Sequence, residues 1–210
     1  MRRHRPVFAR IYSRLSGPMD RGGMAEYRDR TLAGLSGRVL VVGAGDGANF
    51  RHYPSGVSHL VAVEPEPYLR ARALERAETV GIEVEIVDGV AEDLGFADGS
   101  FDAAVVTLTL CSVADQGRAL REIYRVLRPG GELRLFEHVR AESASMRAVQ
   151  RTLDATVWPL VAGGCHTGRD TQAAIEATGF QITELDALRF PDVRLSTSVT
   201  RHLLGVAIGP

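Results

Sequence analysis

The middle of the chain alternates between short apolar runs and longer stretches with helical spacing. The run at 102–108 is almost continuous in β-branched and apolar residues, which is typical of a central strand buried on both faces. Residues 82–87 instead alternate apolar and acidic side chains, which indicates an edge or half-exposed strand. The predicted strands are 38–42, 59–63, 82–87, 102–108 and 131–137, with helices between them at about 67–80 and 115–127. Strands that alternate with helices predict an α/β fold with a doubly wound parallel sheet.

The two ends of the chain follow other patterns. Residues 7–34 show helical spacing, with a break predicted at Gly17-Pro18 and a second helix near 23–34. No internal repeat or linker interrupts the chain, so we expect one domain over 1–210. The remaining expected elements are helices at 143–158 and 170–178, the second ended by Gly179, and two final apolar runs at 180–188 and 198–208.

A glycine-rich turn follows the first predicted strand. Gly43, Gly45 and Gly47 come directly after the apolar residues 38–42, and a helix is expected after them. Glycine lets the backbone turn sharply and approach a ligand closely, because no Cβ is in the way. Glu64 lies 21 positions after Gly43, at the tip of the second strand, where it can accept both hydroxyls of a ribose. The pattern predicts a site for a nucleoside-bearing cofactor.

Two kinds of cofactor fit such a turn. Gly43, Gly45 and Ala48 satisfy the loose fingerprint of dinucleotide-binding proteins. Asp46, however, would place a carboxylate beside a pyrophosphate, whereas it suits a positively charged ligand such as the ammonium and sulfonium of S-adenosylmethionine. The chain also contains no lysine, so it lacks the Tyr-x-x-x-Lys pair of short-chain reductases. The charged turn therefore favours S-adenosylmethionine.

Four segments carry a family resemblance. They are Val39 to Gly47, Val63-Glu64-Pro65, Ala91 to Asp102, and Leu127-Arg128-Pro129-Gly130-Gly131. In this order they resemble the first motif, the ribose-binding acidic tip, the adenine-flanking loop and the turn before strand five of class I S-adenosylmethionine-dependent methyltransferases. The position before Ala91 is often Asp in that family but is Val90 here. Adenine would then rely on the Ala91 backbone, Glu92 and apolar packing.

A closer resemblance covers about residues 36–180. The segments that carry it are Asp46 to Pro54, Thr107 to Val113, Glu137-His138-Val139 and Gly163-Gly164-Cys165. They are similar to the membrane-anchored alkyl thiol methyltransferases of animals and to a broad set of soluble bacterial methyltransferases of unassigned substrate. The likeness implies methyl transfer to a small nucleophile such as a thiol. It departs at the N-terminus, where the animal enzymes carry an apolar anchor and this chain does not.

The family resemblance also implies a layout. It predicts a Rossmann-like, mostly parallel sheet with an antiparallel last strand, a helical lid at 1–34, a cofactor-binding core at 36–140, and substrate-side helices with the last hairpin at 141–210. The donor would be S-adenosyl-L-methionine and the product S-adenosyl-L-homocysteine. The residues expected to contact the donor are Gly43, Ala44, Gly45, Asp46, Gly47, Asn49, Glu64, Pro65, Ala91, Glu92, Thr107 and Leu108.

Composition narrows the range of partners. An apolar content of 45% over 210 residues predicts a full hydrophobic core. A formal net charge of −1 argues against nucleic acid as a partner. No run approaches the about 20 apolar residues of a membrane span and no secretion signal is present, so we expect a cytoplasmic protein. The arginines of the first thirty residues, including Arg28, are interpreted as a solvated helical face, with a patch for an anionic surface as the alternative.

His138 and Cys111 are the candidates for the reacting centre. His138 lies at the tip of strand five, and an imidazole can take a proton at neutral pH. Its alternative role is a structural histidine paired with Glu137 or a loop carbonyl. Cys111 follows strand four and either lines the methyl-transfer pocket or is buried as a small hydrophobic residue.

Substrate contacts are expected from three further regions. Tyr12 and Trp158 are candidates for the wall of an apolar pocket. Cys165, His166 and Arg169 lie in a loop that could bind an acidic or polar group, with a role in scaffolding the loop as the alternative. Cys165 and His166 are adjacent and no second cluster has ligand spacing, so no metal site is expected.

These features predict an enzyme that methylates a small molecule, with thiols as the leading acceptors. The alternatives are O-methylation of a natural-product phenol and C-methylation of a quinone precursor. A non-catalytic cofactor-binding protein is a further alternative, because direct methyl transfer requires no particular side chain beyond those that align the reactants.

Overall fold

The computed structural model describes residues 4–191 and 200–209. Its seven strands are β1 Gly37–Val42, β2 Val57–Val63, β3 Glu83–Val87, β4 Phe101–Thr107, β5 Leu127–His138, β6 Gln181–Arg189 and β7 Arg201–Ile208. They form one sheet in the order β3-β2-β1-β4-β5-β7-β6. The first five strands pair in parallel, and β7 runs antiparallel to both β5 and β6. The predicted α/β sheet with an antiparallel last strand is confirmed.

Helices cover both faces of the sheet. They are α1 Pro6–Met19, α2 Ala25–Leu32, α3 Pro67–Ala77, α4 Gln116–Val126, α5 Ala144–Asp154, α6 Trp158–Val161 and α7 Thr171–Ala177. A wide π-type turn at Asp20–Met24 joins the first two helices, and a short 3₁₀ turn occupies Phe50–His52. Within the described residues, none of these helices combines the length and the apolar character needed to cross a membrane.

The core forms two apolar layers, one on each face of the sheet. Leu40 and Val42 of β1 pack on one side, whereas Val39 and Val41 pack on the other. Side chains alternate between faces along a strand, so a strand covered on both sides must be apolar throughout. Each fully buried leucine or valine contributes about 1.5–3 kcal/mol relative to exposure. This requirement explains the unbroken apolar runs from which the strands were predicted.

The edge character of β3 is confirmed. β3 pairs only with β2 among the strands of the sheet, and Glu83 and Glu85 are exposed. β5, in contrast, begins four residues before its predicted start, because Leu127 pairs with Phe101 across an irregularity in the ladder. The bulged segment contains the Arg128-Pro129-Gly130 turn.

Several sequence-based boundaries were wrong. The first helix does not end at Gly17-Pro18 but continues to Met19, and the chain breaks at Gly23, where φ is 108°. A proline disturbs the regular hydrogen-bond ladder, and the wide turn follows directly after it. The helix expected after the glycine-rich turn is replaced by the 3₁₀ turn at Phe50–His52. The helix expected at 143–158 is split into α5 and α6. Of the final run at 198–208, residues 198–199 lie outside the described residues.

Arg28 corrects the interpretation of the N-terminal arginines as a solvated face. Its side chain is buried, and its Nε donates to Asp20 Oδ1 at 2.9 Å. Arg51 binds the other oxygen of Asp20 at 3.0 Å. Burying a guanidinium is costly unless it is paired and hydrogen-bonded, and this network supplies both. Arg2 and Arg3 lie outside the described residues.

Gly37 is a sensitive position for the pairing of β1 with β4. Its φ is +74°, and a Cβ there would lie 2.0 Å from Asp102 Oδ2, the atom that accepts the Arg38 N–H. Gly34 has a similar φ of +76° with no atom within 4 Å of such a Cβ. We predict that Gly37→Ala lowers the free energy of unfolding by about 1–3 kcal/mol more than Gly34→Ala, because both strain the backbone but only one overpacks. Urea unfolding of the two variants measures the difference, and equal losses would contradict it.

Candidate functional site

The glycine-rich turn lies at the carboxyl edge of the sheet, directly after β1. Gly43 and Ala44 donate their N–H groups to Val63 O at the end of β2. A Cβ on Gly43 would lie 2.4 Å from Thr109 Oγ1, so only glycine fits here without a shift of the next loop. The residues 43–56 contain no α-helix, so this segment offers no α-helix N-terminus for a pyrophosphate. The geometry therefore disfavours the dinucleotide interpretation.

Glu64 joins the tips of β1 and β2. Its Oε2 accepts the Gly45 N–H at 2.8 Å and its Oε1 accepts the Glu66 N–H at 2.9 Å. Burial raises the pKa of this carboxyl, and the two backbone hydrogen bonds oppose the rise. Each carboxylate oxygen can accept a second hydrogen bond. The residue therefore fits the predicted role of accepting ribose hydroxyls.

Asp46 is buried inside the turn and has a partner of its own. Its Oδ2 accepts from Ser16 Oγ at 2.5 Å and pairs with Arg76 at 2.9 Å, whereas Oδ1 is buried and has no hydrogen-bond partner among the described residues. The protein thus supplies one positive charge for this carboxylate. Asp46 is fully buried, so its contact with a cationic group of the ligand stays a prediction.

The helical lid contacts the glycine-rich turn through Tyr12. A Cβ on Gly45 would lie 3.3 Å from the Tyr12 ring, and Phe8 stacks on that ring at 5.8 Å between centroids. Burial raises the pKa of the Tyr12 hydroxyl, and the nearby Arg28 lowers it in part. Tyr12 was expected on the substrate side, but the structure places it over the cofactor loop. The predicted N-terminal helices are confirmed, and their role as a lid stays a prediction.

Asn49 and Thr107 are joined by a hydrogen bond near the N-terminal helices. Asn49 Nδ2 donates to Thr107 Oγ1 at 3.1 Å, and its Oδ1 accepts from Arg28 Nη1. Leu108 follows in the left-handed region with φ of 55°, and its N–H donates to Phe136 O. Sequence analysis grouped these residues by motif, and the structure joins them through a buried arginine.

Glu92, which was expected to contact adenine, binds the backbone before α4. Its Oε1 accepts the N–H groups of Ala114 and Asp115 at 2.7 and 3.1 Å. That side chain therefore holds the start of a helix, whereas Ala91 is buried behind it. Pro65 lies between Glu64 and α3, where it is half-buried.

Glu137 fixes the loop after β4 to the tip of β5. Its Oε1 accepts the N–H groups of Thr109 and Leu110 at 2.6 and 2.8 Å, and its Oε2 accepts that of Cys111 at 3.2 Å. Burial raises the pKa of Glu137 to about 7, and the three backbone bonds oppose the rise. The hydrogen bonds of this carboxylate therefore go to the loop backbone, in place of the pairing with His138 that the sequence had left open.

Cys111, His138 and Cys165 meet at this edge. Cys165 Sγ lies 3.6 Å from His138 Nδ1 and Cys111 Sγ lies 3.9 Å from it. All three atoms lie within 4.8 Å of one another. Both sulfurs are almost fully buried, and the imidazole is half-buried and tilted against His202 at 4.3 Å. Three separate segments of the chain thus converge on one soft-ligand cluster.

The two thiols of this cluster are electrostatically inequivalent. A hydrogen bond from Cys111 lowers the pKa of Cys165 to about 5, with His138 acting in the same direction and burial opposing it. The same bond, with burial and the nearby Glu137, raises the pKa of Cys111. Burial, together with His138, lowers the pKa of His202 to about 3, so that neighbour stays neutral. Cys165 is the better thiolate of the pair.

Trp158 borders the cluster. Its Nε1 is buried with no hydrogen-bond partner at normal geometry in the described part of the chain, and it lies near enough to Cys165 to lower the pKa of that thiol. Phe8 of the lid reaches the same region, because a Cβ on Gly163 would lie 2.4 Å from its ring. The indole, which sequence analysis assigned to an apolar wall, thus adjoins the candidate reacting centre.

The other two residues of the predicted substrate loop have structural roles. Arg169 donates to Leu110 O and Val113 O at 2.5 and 2.6 Å, so its guanidinium holds the loop after β4. His166 donates its backbone N–H to Cys111 O, and its Nδ1 contacts Gly164 O at 2.8 Å. These contacts fit the alternative role of scaffolding the loop, and the binding of an acidic group by Arg169 and His166 stays a prediction.

Two contacts were not predicted from the sequence: the buried hydrogen bonds of Arg28, and the binding of the loop after β4 by Glu137. Arg28 stands in a stretch rich in exposed arginines, and its distant partners Asp20 and Asn49 become neighbours only in the folded chain. Glu137 was named only as a partner for His138. Glu137 continues the alternate positions of Leu133 and Leu135, and this was the available signal, because a carboxylate on a buried face requires donors.

A Rossmann-like sheet with a glycine-rich turn after β1 and a carboxylate after β2 defines a class of nucleoside-cofactor proteins. A family model described as "Methyltransferase domain" matches residues 40–135. Thiol S-methyltransferase TMT1A of Homo sapiens is 37% identical over 183 residues, which cover 84% of this chain and 73% of the relative. Thiol S-methyltransferase TMT1B of Mus musculus is 39% identical over 184 residues, which cover 85% and 74%.

The fold comparison agrees. The structure of geranyl diphosphate methyltransferase in complex with S-adenosylmethionine superimposes with a TM-score of 0.69 at 16% identity, over 90% of this chain and 85% of that one. The chain belongs to the class I S-adenosylmethionine-dependent methyltransferases. It is an enzyme of that family, and S-adenosyl-L-methionine is its methyl donor.

We predict that Glu137→Gln lowers the free energy of unfolding by about 1–3 kcal/mol, because an amide NH₂ would face one of three N–H groups that the carboxylate accepts. Glu132→Gln on the same strand is the matched control, since Glu132 is partly exposed and pairs with the side chain of Arg134. Thermal or urea unfolding measures both. A loss for Glu137→Gln no larger than that for Glu132→Gln would contradict the proposed fixation of the loop.

Proposed function

We propose that this protein transfers a methyl group from S-adenosylmethionine to the sulfur of a small-molecule thiol. The observation that carries the proposal is the convergence of Cys111, His138 and Cys165 beside the donor loop. The names of the similar human and mouse proteins describe the same acceptor class. Trp158 and Phe8 add an apolar border suited to the carbon portion of such an acceptor.

The donor loop and the cluster are connected through one residue. Thr109 Oγ1 lies 3.5 Å from Gly43 O, and its N–H donates to Glu137 beside Cys111 and His138. In an open α/β sheet, ligands bind beyond the carboxyl ends of the strands, and all these groups lie there. The backbone around Gly43 and Gly45, with Glu64 and Asp46, would hold the donor. His138 and the two cysteines would face the acceptor.

The donor supplies a methyl group on a positively charged sulfur, so the protein must align the acceptor and remove its proton. Alignment of two reactants in a site contributes on the order of 7–11 kcal/mol in well-oriented systems. His138, whose Nδ1 lies 3.6 and 3.9 Å from the two sulfurs, is the candidate to take up that proton. Burial of both sulfurs keeps water away from the acceptor position.

Glu64 gives a test of the donor site. We predict that Glu64→Gln weakens binding of S-adenosylhomocysteine about 10- to 100-fold, because hydrogen bonds to a charged acceptor contribute about 1.5–3 kcal/mol. Glu83→Gln, on the exposed edge strand β3, is the matched control and should bind normally. Isothermal titration calorimetry measures both variants. Equal affinity of the two would exclude Glu64 from the ribose site.

The acceptor class is tested with isotopically labelled donor and a panel of simple alkyl thiols, phenols and quinone precursors. We expect label to enter the thiols as thioethers, with Glu64→Ala as the inactive control. Transfer to phenols or quinone precursors with every thiol inert would refute the proposal and establish O- or C-methylation. Binding of the donor without transfer to any compound would favour a non-catalytic role.

A further inference from the structure

The cluster of Cys111, His138 and Cys165 has the composition and spacing of a metal site. Two thiolates and one imidazole are ligands that zinc prefers, at about 2.3 Å for sulfur and about 2.0–2.1 Å for nitrogen. A tetrahedral ion with these bonds holds its ligands about 3.6 Å apart for sulfur and nitrogen and about 3.8 Å apart for two sulfurs. The observed sulfur-to-nitrogen distances are 3.6 and 3.9 Å. The two sulfurs and the nitrogen all lie within 4.8 Å of one another, so small side-chain shifts would bring them to the corners of such a site.

We propose that Cys111 Sγ, Cys165 Sγ and His138 Nδ1 bind one Zn²⁺ ion and leave its fourth position for the sulfur of the acceptor. Catalytic zinc sites characteristically have three protein ligands and one open position. The role assigned to the fourth position rests on the proposed thiol methylation, whereas the three-ligand site does not.

The surroundings of the cluster suit a bound cation. Glu137 orders the loop that carries Cys111 through three N–H bonds, and Arg169 orders it through two carbonyls. Both sulfurs are buried, and the half-buried imidazole is the side of the cluster that solvent reaches. The buried Trp158 N–H beside Cys165 is a donor placed to stabilise a metal-bound sulfur. Two thiolates would neutralise the charge of the ion inside this apolar setting.

Linear spacing could not reveal this group. Cys165 and His166 are adjacent in the sequence, but the His166 ring contacts Gly164 O. The three ligand residues come instead from the loop after β4, the tip of β5 and the segment after α6. Among the described residues, this is the group of three such side chains close enough to share one ion.

A bound zinc ion would remove the need for a separate base. A thiol that coordinates a divalent cation is deprotonated outright, so the acceptor would stand as a thiolate at neutral pH. The acceptor S–H bond breaks and its proton leaves to solvent, the acceptor sulfur forms a bond to the donor methyl carbon, and the bond from that carbon to the donor sulfur breaks. The products are a thioether, S-adenosylhomocysteine and one proton, and no oxidant or reductant is required.

The metal site is tested first by zinc content. Full-length protein produced with added zinc and purified in a phosphine reductant should contain about one zinc per chain. Cys111→Ser, Cys165→Ser and His138→Ala should each lose it, whereas His59→Gln, at the β2–β3 edge, should retain it. Wild-type protein without zinc, whether its two thiols are free or joined in a disulfide, would overturn the proposal.

Cobalt substitution tests the site without any variant. Zinc-free wild-type protein titrated with Co²⁺ should develop a thiolate-to-cobalt charge-transfer band that saturates at one equivalent. A simple alkyl thiol, but not a phenol, should then shift that band. Absence of the band would overturn the site, and a band that the thiol leaves unchanged would overturn coordination of the acceptor.

Activity separates this inference from the proposed function. Removal of zinc should lower thiol methylation on the order of 10²-fold, with recovery on adding Zn²⁺, because the ion replaces proton removal by a base. Full activity in zinc-free protein would refute the role of zinc in the reaction while leaving the proposed thiol methylation intact. A zinc-loaded protein that methylates no thiol would refute the proposed function while leaving the metal site intact.

Discussion

The candidate site depends on the hydrogen bonds between the buried carboxylate of Glu137 and the backbone of the loop after β4. A carboxylate inside an apolar sheet is unfavourable unless donors surround it, and the N–H groups of Thr109, Leu110 and Cys111 provide them. In return, the loop after β4 is held against the tip of β5. Cys111 is thereby brought beside His138, which follows Glu137 in the sequence.

The donor side uses a carboxylate in a comparable way. Glu64 accepts the N–H groups of Gly45 and Glu66 and so holds the tips of β1 and β2 together. Two neighbouring loop tips are thus fixed by buried acids, and Thr109 contacts both the glycine-rich turn and Glu137. The rigid sheet positions these loops, which is how α/β enzymes commonly place reactants.

Much of the fold followed from the sequence because burial on both faces demands continuous apolar strands. The edge strand β3, the parallel core and the glycine-rich turn were all predicted from such patterns. The continuation of α1 through Pro18 and the absence of an α-helix directly after Gly47 were not predicted. Tertiary contacts can override the local signals that break or favour a helix. The candidate cofactor residues were predicted from motif spacing, and the structure places Gly43, Glu64 and Thr107 at the carboxyl ends of β1, β2 and β4. The environment of the acceptor did not, because the roles of Arg28, Arg169 and Cys165 depend on partners far away in the chain.

The positions of Tyr12 and Trp158 illustrate the same limit. Both were assigned to an apolar pocket from residue type alone. The fold places Tyr12 over the donor loop and Trp158 beside Cys165, on the two sides of the proposed reaction. Residue type could not show which of these neighbours each side chain has, because that depends on the packing of α1 and α6.

The central claim is that donor and acceptor groups meet at the carboxyl edge of β1, β4 and β5. A crystal structure of the full chain with S-adenosylhomocysteine tests it most directly. The account predicts ribose hydroxyls on Glu64 and the sulfur of the ligand facing the cluster of Cys111, His138 and Cys165. An adenosyl group bound away from Glu64, or a ligand sulfur separated from that cluster by protein atoms, would contradict it.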